Sequence, residues 1–244
     1  MVQEKIVNWL KSYIQDSGMT GFVVGISGGI DSAVTSTLCA ETGYPVLAVS
    51  MPIHQDPTLH NRSEVQKDWL YQKYANVSTE NIDLSETYDA FKRAVESSEL
   101  GYANSKARLR MTTLYGLAAS EGLLVAGTGN KVEDFGVGFF TKYGDGGVDL
   151  SPIADLTKTE VYELAKELGI PQEIQDAAPT DGLWDDGRQD EEQLGATYAE
   201  LEWAMDYNGT DDLSERQEEV LRIYNKHHEC NKHKMMPIPV CKIK

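Results

Sequence analysis

The amino-acid sequence predicts an α/β fold in which a central parallel sheet is covered by helices. Strand-like and helix-like segments alternate along the chain, and the first two strand-like segments are apolar at nearly every position. Strands buried on both faces are typical of parallel sheets, because the crossover helices cover both sides. Neither an internal repeat nor an obvious linker interrupts this alternation. We therefore expect a single domain over residues 1–244.

Apolar runs define the strands, and apolar residues at helical spacing define the helices. The predicted strands are 21–26, 44–51, one within 75–84, and 123–130. The predicted helices between them are 2–16, 30–41, 61–75 and 104–122. Three later helices are predicted from capping boxes, which pair a Ser or Thr with an acid or amide three residues on. These pairs are Thr157 with Glu160, Thr197 with Glu200, and Ser214 with Gln217. The polar stretch 176–193 is predicted to be a mobile loop of the kind that often forms a functional lid.

Composition excludes several classes of protein. A net charge of −17 argues against nucleic-acid binding, which needs a basic surface. No apolar run approaches the ~20 residues that span a bilayer, and the charged start of the chain does not resemble a signal peptide. The three cysteines give no disulfide framework and fit a reducing cytosol. We expect a cytoplasmic protein with no membrane or nucleic-acid partner.

A glycine-rich turn follows the first strand in "GFVVGISGGIDSAV" (21–34). A strand, a glycine turn and a helix N-terminus together form an anion site, because free backbone N–H groups and the helix dipole point at the ligand. No Lys follows Gly29, so this is not a GxxxxGK[ST] loop, and the GxGxxG pattern is also absent. Asp31 lies in the turn instead, where an acid is suited to hold Mg²⁺ beside phosphates. A structural turn capped by Asp31, or a site for another phosphate ligand, is an alternative.

The pattern S-G-G-x-D-S at Ser27–Ser32 resembles the pyrophosphate loop of the N-type ATP pyrophosphatases, which cleave ATP between its α- and β-phosphates. A second signature, "GTGNKVEDFGVGFFTKYGDGGVDLSPIADLTKTEVY" (127–162), is similar to that of the ammonia-dependent NAD⁺ synthetases. Four further segments match that family in the right order: "NSKARLRM" (104–111), "PTDGLW" (179–184), "DEEQLG" (190–195) and "KHKMMPIP" (232–239). The resemblance therefore covers nearly the whole chain.

This resemblance implies a Rossmann-like fold of the adenine nucleotide alpha-hydrolase type and a two-step ligase reaction. The carboxylate of deamido-NAD⁺ attacks the α-phosphorus of ATP and displaces pyrophosphate, and ammonia then replaces AMP to give NAD⁺. The resemblance also implies Mg²⁺ and a homodimer. Relatives that use glutamine carry an additional amidase domain of several hundred residues, for which this chain has no room. Free ammonia is therefore the expected nitrogen source, unless a separate subunit supplies it.

The resemblance also assigns the site residues. Those expected to bind ATP are Gly25, Ile26, Ser27, Gly28, Gly29, Ile30, Asp31, Ser32, Thr128, Lys158 and Thr180. Those expected to bind deamido-NAD⁺ are Arg108, Lys142, Asp149, His233 and Lys234. Asp31 and Glu133 are expected to hold Mg²⁺, and the predicted catalytic residues are Asp31, Lys158 and Asp149. Residues 51–65 are expected to receive the adenine, and Arg62 is an unassigned cation there that suits phosphate or adenine.

Simpler interpretations stand beside these assignments. Lys158 and Glu133 have the positions of a solvated lysine and a dipole-stabilising acid in the first turns of helices. Arg108 fits a solvated basic face, and Asp149 and Thr180 fit caps of turns. "HHECNKH" (227–233) contains metal-ligand residue types but no C-x-x-C pair, so zinc is disfavoured. The base for the ammonia step is left open, with Asp145 and Asp149 as candidates.

Two other functions remain as alternatives. One is another enzyme of the pyrophosphatase superfamily, such as a GMP synthetase core or a tRNA-thiolating enzyme, although the latter usually has paired cysteines and a basic surface. The other is a non-catalytic adenine-nucleotide sensor. A sensor has no need for Glu133, Lys142 or Lys158, so the presence of all three favours an enzyme.

Overall fold

Four short apolar strands form one parallel sheet. The computed structural model describes residues 1–55, 57–184, 187–209 and 212–243. The strands are β1 (Gly21–Gly25), β2 (Val46–Ser50), β3 (Val77–Asn81) and β4 (Leu123–Ala126), in the spatial order β3-β2-β1-β4. All three neighbouring pairs are parallel, with Phe22 beside Val46 and Leu124 in the central register. The predicted fold class is confirmed.

Helices fill the connections between the strands and the remainder of the chain. Those before β4 are α1 (Val2–Ser17), α2 (Ile30–Glu41), α3 (Pro57–Lys73), α4 (Ser85–Ala94) and α5 (Glu99–Glu121). After β4 come a short π-helix (Val132–Val137), α6 (Lys158–Leu168), α7 (Gln172–Gln175), α8 (Asp190–Leu194), α9 (Tyr198–Asp206) and α10 (Glu215–Met235). Parallel strands require such crossovers, since a tight turn can only join antiparallel neighbours.

Successive residues of each strand enter cores on opposite faces of the sheet, because side chains alternate along a strand. Phe22 and Val24 pack with Leu10 of α1 and Leu38 of α2 on one face. Val23 packs on the other face, against residues of α4 and α5. Both faces are therefore covered, which explains why the strands are apolar throughout.

A third apolar cluster lies away from the sheet. It joins Val132 and Val137 of the π-helix to α9 and to Val220 of α10. The segment after β4 is thereby fixed from its outer side, while residues 126 and 150 form a parallel bridge that attaches the following loop to the sheet edge. This packing holds the loop between β4 and α6 at the carboxyl end of the strands.

The strand order places the glycine turn at a reversal of the chain path. From β1 the sheet grows in one direction through β2 and β3, and β4 is added on the opposite side of β1. In open parallel sheets, ligands bind at the carboxyl ends of the strands where the order reverses. The glycine turn begins at the last residue of β1, and Thr128 follows β4, so both border this position.

The helices predicted from capping boxes begin where expected. Thr157, Thr197 and Ser214 each accept a hydrogen bond from the backbone N–H three residues on. Two predicted helix starts were wrong. α3 begins at Pro57 rather than at residue 61, and α5 begins at Glu99 rather than at residue 104.

Helix α4, the π-helix and the short helices α7 and α8 were not predicted from the sequence. The early start of α5 has a local cause, because the Ser98 hydroxyl oxygen accepts a hydrogen bond from the N–H of Gly101. The polar stretch 176–193 is not entirely loop, since α8 begins at Asp190. Residues 185 and 186 of that stretch lie outside the described residues.

Leu10→Ala tests the packing of α1. Leu10 is fully buried between α1 and the sheet core, so the truncation should lower the free energy of unfolding by about 3 kcal/mol. Lys5→Ala, at an exposed position of the same helix, should change it by less than about 0.5 kcal/mol. Urea denaturation of both variants measures the difference. Equal effects would show that α1 does not contribute a core face.

Candidate active site

A cleft opens at the carboxyl end of the sheet, between the glycine turn, the loop after β4 and the segment before α8. Its lining includes the whole turn from Gly25 to Ser32, together with Thr128, Glu133, Lys158 and Thr180. These residues lie far apart in the sequence, and the parallel sheet brings them to one edge. The structure therefore brings the residues predicted to bind ATP, and the predicted magnesium ligands, to one cavity.

The serines of the glycine turn hold the turn itself. Ser27 Oγ accepts from the N–H of Gly29 at 3.1 Å, and Ser32 Oγ donates to the Gly29 carbonyl at 2.9 Å. Ser32 is buried, and its hydroxyl also bonds with the buried amide of Gln66 of α3 at 3.1 Å. Gly28 has φ +80°, a conformation that favours glycine. The turn is thus held by its own hydrogen bonds, and α2 begins within it at Ile30.

Lys158 joins two carboxylates inside the cleft. Its Nζ lies 2.6 Å from Asp31 Oδ2 and 3.1 Å from Glu133 Oε1. The lysine is 3% exposed, so it is not the solvated first-turn lysine of the simpler interpretation. Burial acts to lower the pKa of Lys158, but Asp31 and Glu133 outweigh burial and raise that pKa above its usual value. The ammonium group is therefore held charged between the two acids.

Asn130 links the Asp31 carboxylate to the backbone of Glu133. This fully buried side chain donates from Nδ2 to Asp31 Oδ1 at 3.2 Å, and its Oδ1 accepts from the backbone N–H of Glu133, also at 3.2 Å. The π-helix that contains Glu133 starts directly after this segment. Single π-helical turns are frequent at functional sites. Asn130 was not among the predicted site residues, although it lies within the predicted signature.

Tyr198 and Asp190 extend this network toward α8 and α9. The Tyr198 hydroxyl donates to Glu133 Oε1 at 2.6 Å and lies 3.3 Å from Asp190 Oδ2. Lys158 Nζ is also 4.6 Å from the centre of the Tyr198 ring, within the range of a cation–π contact. Burial, and then the charge of Glu133, raise the pKa of Asp190 to about 7. Asp190 Oδ1 is buried without a hydrogen-bond partner among the described residues.

Acidic side chains outnumber basic ones in the cleft. The carboxylates in its described lining are Asp31, Glu133, Asp134, Asp145, Asp181 and Asp190, and the Arg and Lys residues are Arg62, Arg110 and Lys158. Burial, followed by the charge of Glu133, raises the pKa of Asp134 to about 8. An excess of buried carboxylates is unfavourable without a cation or protons. This electrostatic situation suits a ligand that arrives with a divalent metal.

Arg110 is a further cation of the cleft that was not among the predicted site residues. Its Nε donates to the Met51 carbonyl at 3.0 Å, and its NH2 donates to Gln55 Oε1 at 3.1 Å. Arg110 therefore fixes the segment after β2 against α5. Burial lowers the pKa of Arg110 to about 10, although Asp145 and Asp181 oppose the shift.

Thr128 and Thr180 both line the cleft. Thr180 Oγ1 donates to the Arg188 carbonyl at 3.1 Å and accepts from the N–H of Gly182 at 3.3 Å. These bonds are those of a turn cap, as in the simpler interpretation of Thr180, and they place the residue on the cleft wall. Ile26 and Ile30 also line the cleft, and both belong to the apolar core on one face of the sheet.

Four of the five residues predicted to contact the dinucleotide form a separate group. Arg108 donates to the Lys142 carbonyl, and Lys142 Nζ donates to the His233 carbonyl at 2.9 Å. Lys234 Nζ donates to the carbonyls of Gly138 and Phe140, at 2.8 and 2.9 Å. These four residues are thus neighbours. In the described part of the chain they are not in the lining of the cleft.

Asp149 is bound to the sheet rather than to other site residues. Its Oδ2 accepts from the N–H of Val125 at 2.8 Å, and its Oδ1 accepts from the Tyr115 hydroxyl at 3.0 Å. These long-range bonds to β4 and α5 differ from the local turn cap of the simpler interpretation. The predicted contact of Asp149 with a ligand stays a prediction.

The predicted magnesium ligands meet one requirement for such a site. Asp31 and Glu133 approach a single Lys158 ammonium, so their oxygens lie within a few ångströms of each other. Mg²⁺ prefers one or two carboxylates together with phosphate oxygens and water. The described residues contain no group of three or more His, Cys, Asp or Glu side chains arranged for a metal. A metal here would thus draw its other ligands from phosphate and water.

Known proteins resemble this chain over most of its length. The family model for NAD synthase matches residues 2–237. The NH(3)-dependent NAD(+) synthetase of Carboxydothermus hydrogenoformans is 44% identical over 82% of each chain, and that of Alkaliphilus metalliredigens is 38% identical over 98% of each chain. The structure of NMN synthetase from Francisella tularensis superposes with a TM-score of 0.90 at 33% identity, covering 99% of this chain and 98% of that one. In addition, no helix within the described ranges is long and apolar enough to cross a membrane.

Asp190→Asn tests the electrostatics of the cleft. The pKa of Asp190 is about 7 in the folded chain against an ordinary value of 3.8. The folded state therefore holds this proton more tightly, and the resulting stability, complete below pH 3.8, is lost as pH rises toward 7. An amide stays neutral, so between pH 5 and 8 the variant should lose less free energy of unfolding than the wild type, by about 1–3 kcal/mol.

Urea denaturation of the ligand-free protein at both pH values measures this difference. Asp16→Asn, at an exposed position of α1, is the control and should follow the wild type. An identical loss of stability in wild type and Asp190→Asn would contradict the raised pKa.

Proposed function

Because the chain belongs to the NAD synthase family, we propose that it is a ligase that amidates deamido-NAD⁺ with ammonia at the expense of ATP. The observation that supports this most directly is the convergence of Asp31, Glu133 and Lys158 next to the glycine turn. These groups suit the binding and cleavage of a nucleoside triphosphate. The products would be NAD⁺, AMP and pyrophosphate.

The first step transfers the adenylyl group. A nicotinate carboxylate oxygen bonds to the α-phosphorus of ATP, the bond from that phosphorus to the bridging oxygen breaks, and pyrophosphate leaves with the electron pair. Such transfers depend on positioning and on neutralisation of charge. Lys158 supplies a charged ammonium, and the N–H groups of the turn and of α2 supply dipoles directed at phosphate. Neither role requires a covalent nucleophile from the protein.

We propose Asp31 and Glu133 as the residues that hold Mg²⁺. The ion would neutralise phosphate charge and relieve the excess of carboxylates in the cleft. Asn130 and Tyr198 keep the two acids in place, through bonds to Asp31 and Glu133 respectively. Because Lys158 already pairs with both acids, binding of the nucleotide with its metal would redistribute these contacts rather than create the site.

The second step releases AMP. Ammonia attacks the carbonyl carbon of the adenylated carboxyl, the bond to the AMP oxygen breaks, and a proton leaves the nitrogen. Adenylation makes this possible because AMP is a better leaving group than an oxide. We propose free ammonia in the cytoplasm as the nitrogen source. Thr128 and Thr180, which line the cleft, would border the nucleotide.

We propose the cluster around Lys142 as the dinucleotide contact. Arg108, Lys142, His233 and Lys234 carry positive charge or hydrogen-bond donors, as a pyrophosphate-linked ligand requires. Since they do not line the cleft of the single chain, they would contact the dinucleotide at the border between two copies in a homodimer. Asp149 would act there only if it exchanged its bonds to Val125 and Tyr115.

A second candidate follows from the structural comparison. The Francisella protein is named NMN synthetase, and its likeness covers almost the whole of both chains. For this chain, the same activity would mean that nicotinate mononucleotide replaces deamido-NAD⁺ as the acceptor. The adenylation chemistry and the roles of Lys158 and Asp31 would be the same.

An assay of products decides between these activities. The purified chain with ATP, Mg²⁺, ammonium and deamido-NAD⁺ should form NAD⁺, AMP and pyrophosphate in equal amounts, and glutamine alone should not replace ammonium. A higher kcat/KM with nicotinate mononucleotide would establish the second candidate. Product from neither acceptor would contradict both.

Lys158→Met tests the site within the same assay. Loss of the buried ammonium leaves Asp31 and Glu133 uncompensated and removes a cation from the phosphates, so kcat/KM should fall at least about 100-fold. Lys166→Met, at an exposed position of the same helix, should remain within about 2-fold of wild type. Thermal unfolding of both variants would separate loss of fold from loss of chemistry. Wild-type activity in folded Lys158→Met would exclude the proposed role.

A further inference from the structure

Arg62 lies where α3 packs on the glycine turn. It occupies the second turn of α3, and it lines the cleft. An ideal Cβ on Gly28 would lie 2.9 Å from Arg62 Cβ and 2.8 Å from the backbone nitrogen of Ser63. Only a residue without a side chain fits between the two segments. Arg62 is therefore fixed directly beside the middle of the turn.

A buried donor of this arginine has no acceptor. The Nε of Arg62 is inaccessible to solvent and makes no hydrogen bond with any residue that the structure describes. A guanidinium has five N–H donors and does not lose its charge at any ordinary pH. A buried, unpaired donor is unfavourable, and more so on a charged group. An acceptor for this N–H must therefore come from outside the described residues.

The other Arg and Lys side chains in the described lining of the cleft already have acceptors. Lys158 is held by Asp31 and Glu133, and Arg110 donates to Met51 and Gln55. Although the cleft contains an excess of carboxylates, the structure gives no ion pair between Arg62 and any described carboxylate. Its position next to the anion-binding turn, rather than next to those acids, indicates that its partner is an anionic ligand.

We propose that Arg62 binds the phosphate chain of the nucleotide above Gly28, on the two phosphates that leave as pyrophosphate. A guanidinium forms paired hydrogen bonds with phosphate oxygens, which a point charge cannot do. Negative charge accumulates on the leaving pyrophosphate as its bond to the α-phosphorus breaks. Arg62 stabilises that charge and also binds the released product. This role rests on the proposed cleavage of ATP between its α- and β-phosphates, and is independent of which nicotinate nucleotide is the acceptor.

Calorimetric titration with inorganic pyrophosphate, ATP and AMP, each with Mg²⁺, tests the proposal on the whole chain. Arg62→Ala should weaken binding of pyrophosphate and of ATP by about 10-fold, and should leave AMP within 2-fold of wild type. The matched control Arg93→Ala removes an exposed arginine of α4 and should change none of the three. Arg62→Gln, which keeps a polar side chain, should behave like Arg62→Ala and replaces it if the latter does not fold.

Two results would overturn the proposal. One is pyrophosphate affinity within 2-fold of wild type in a folded Arg62 variant. The other is equal weakening for AMP and pyrophosphate, which would assign Arg62 to the adenosine end or to the general structure of the cleft.

The same variants separate this proposal from the proposed function. If the wild-type chain binds pyrophosphate through Arg62 but makes no amidated product from either acceptor, the acceptor assignment is wrong and the role of Arg62 stands. If amidation proceeds and the KM for ATP is unaffected in Arg62→Ala, the function stands and the role of Arg62 is wrong. In the expected case the KM for ATP rises about 10-fold, while the KM for the nicotinate nucleotide stays unchanged.

Discussion

A single buried ammonium group, that of Lys158, determines how the site is assembled. It connects the turn after β1, the π-helix after β4 and the start of α6, and it lies 127 positions from Asp31 in the sequence. Removal of one partner from a buried ion pair is strongly destabilising, because the other charge remains without compensation. The three segments are therefore held together by the same groups that would contact the nucleotide and its metal.

The parallel sheet explains how residues far apart in the sequence meet in one cleft. Parallel strands all deliver their carboxyl ends to one edge, and the order β3-β2-β1-β4 separates the loops after β1 and β4 enough to leave a cleft between them. The third apolar cluster fixes the segment after β4 from behind, so that Glu133 faces Lys158. Core packing and ligand chemistry are thus assigned to different faces of the same short elements.

The sequence alone predicted the fold class and the strands, because apolar runs and capping boxes are local signals. It also predicted that Asp31, Glu133 and Lys158 belong together, through the order of the family motifs. It could not show that Lys158 is buried, since burial depends on packing between distant segments. Asn130, Tyr198 and Asp190 were missed for the same reason, because their roles consist of hydrogen bonds to residues far away in the chain. Helix α4 was missed because its composition is mostly polar, with Tyr88 as its one buried residue.

The most direct test of the proposed metal site is the binding of Mn²⁺, used in place of Mg²⁺, in the presence of ATP. Electron paramagnetic resonance measures this binding. We expect one Mn²⁺ ion to bind with the nucleotide in the wild-type chain. Asp31→Asn and Glu133→Gln should each weaken its retention by at least about 10-fold, and Asp16→Asn should not. Wild-type retention of the ion in both folded site variants would contradict the central claim that the acids held by Lys158 form the metal and phosphate site.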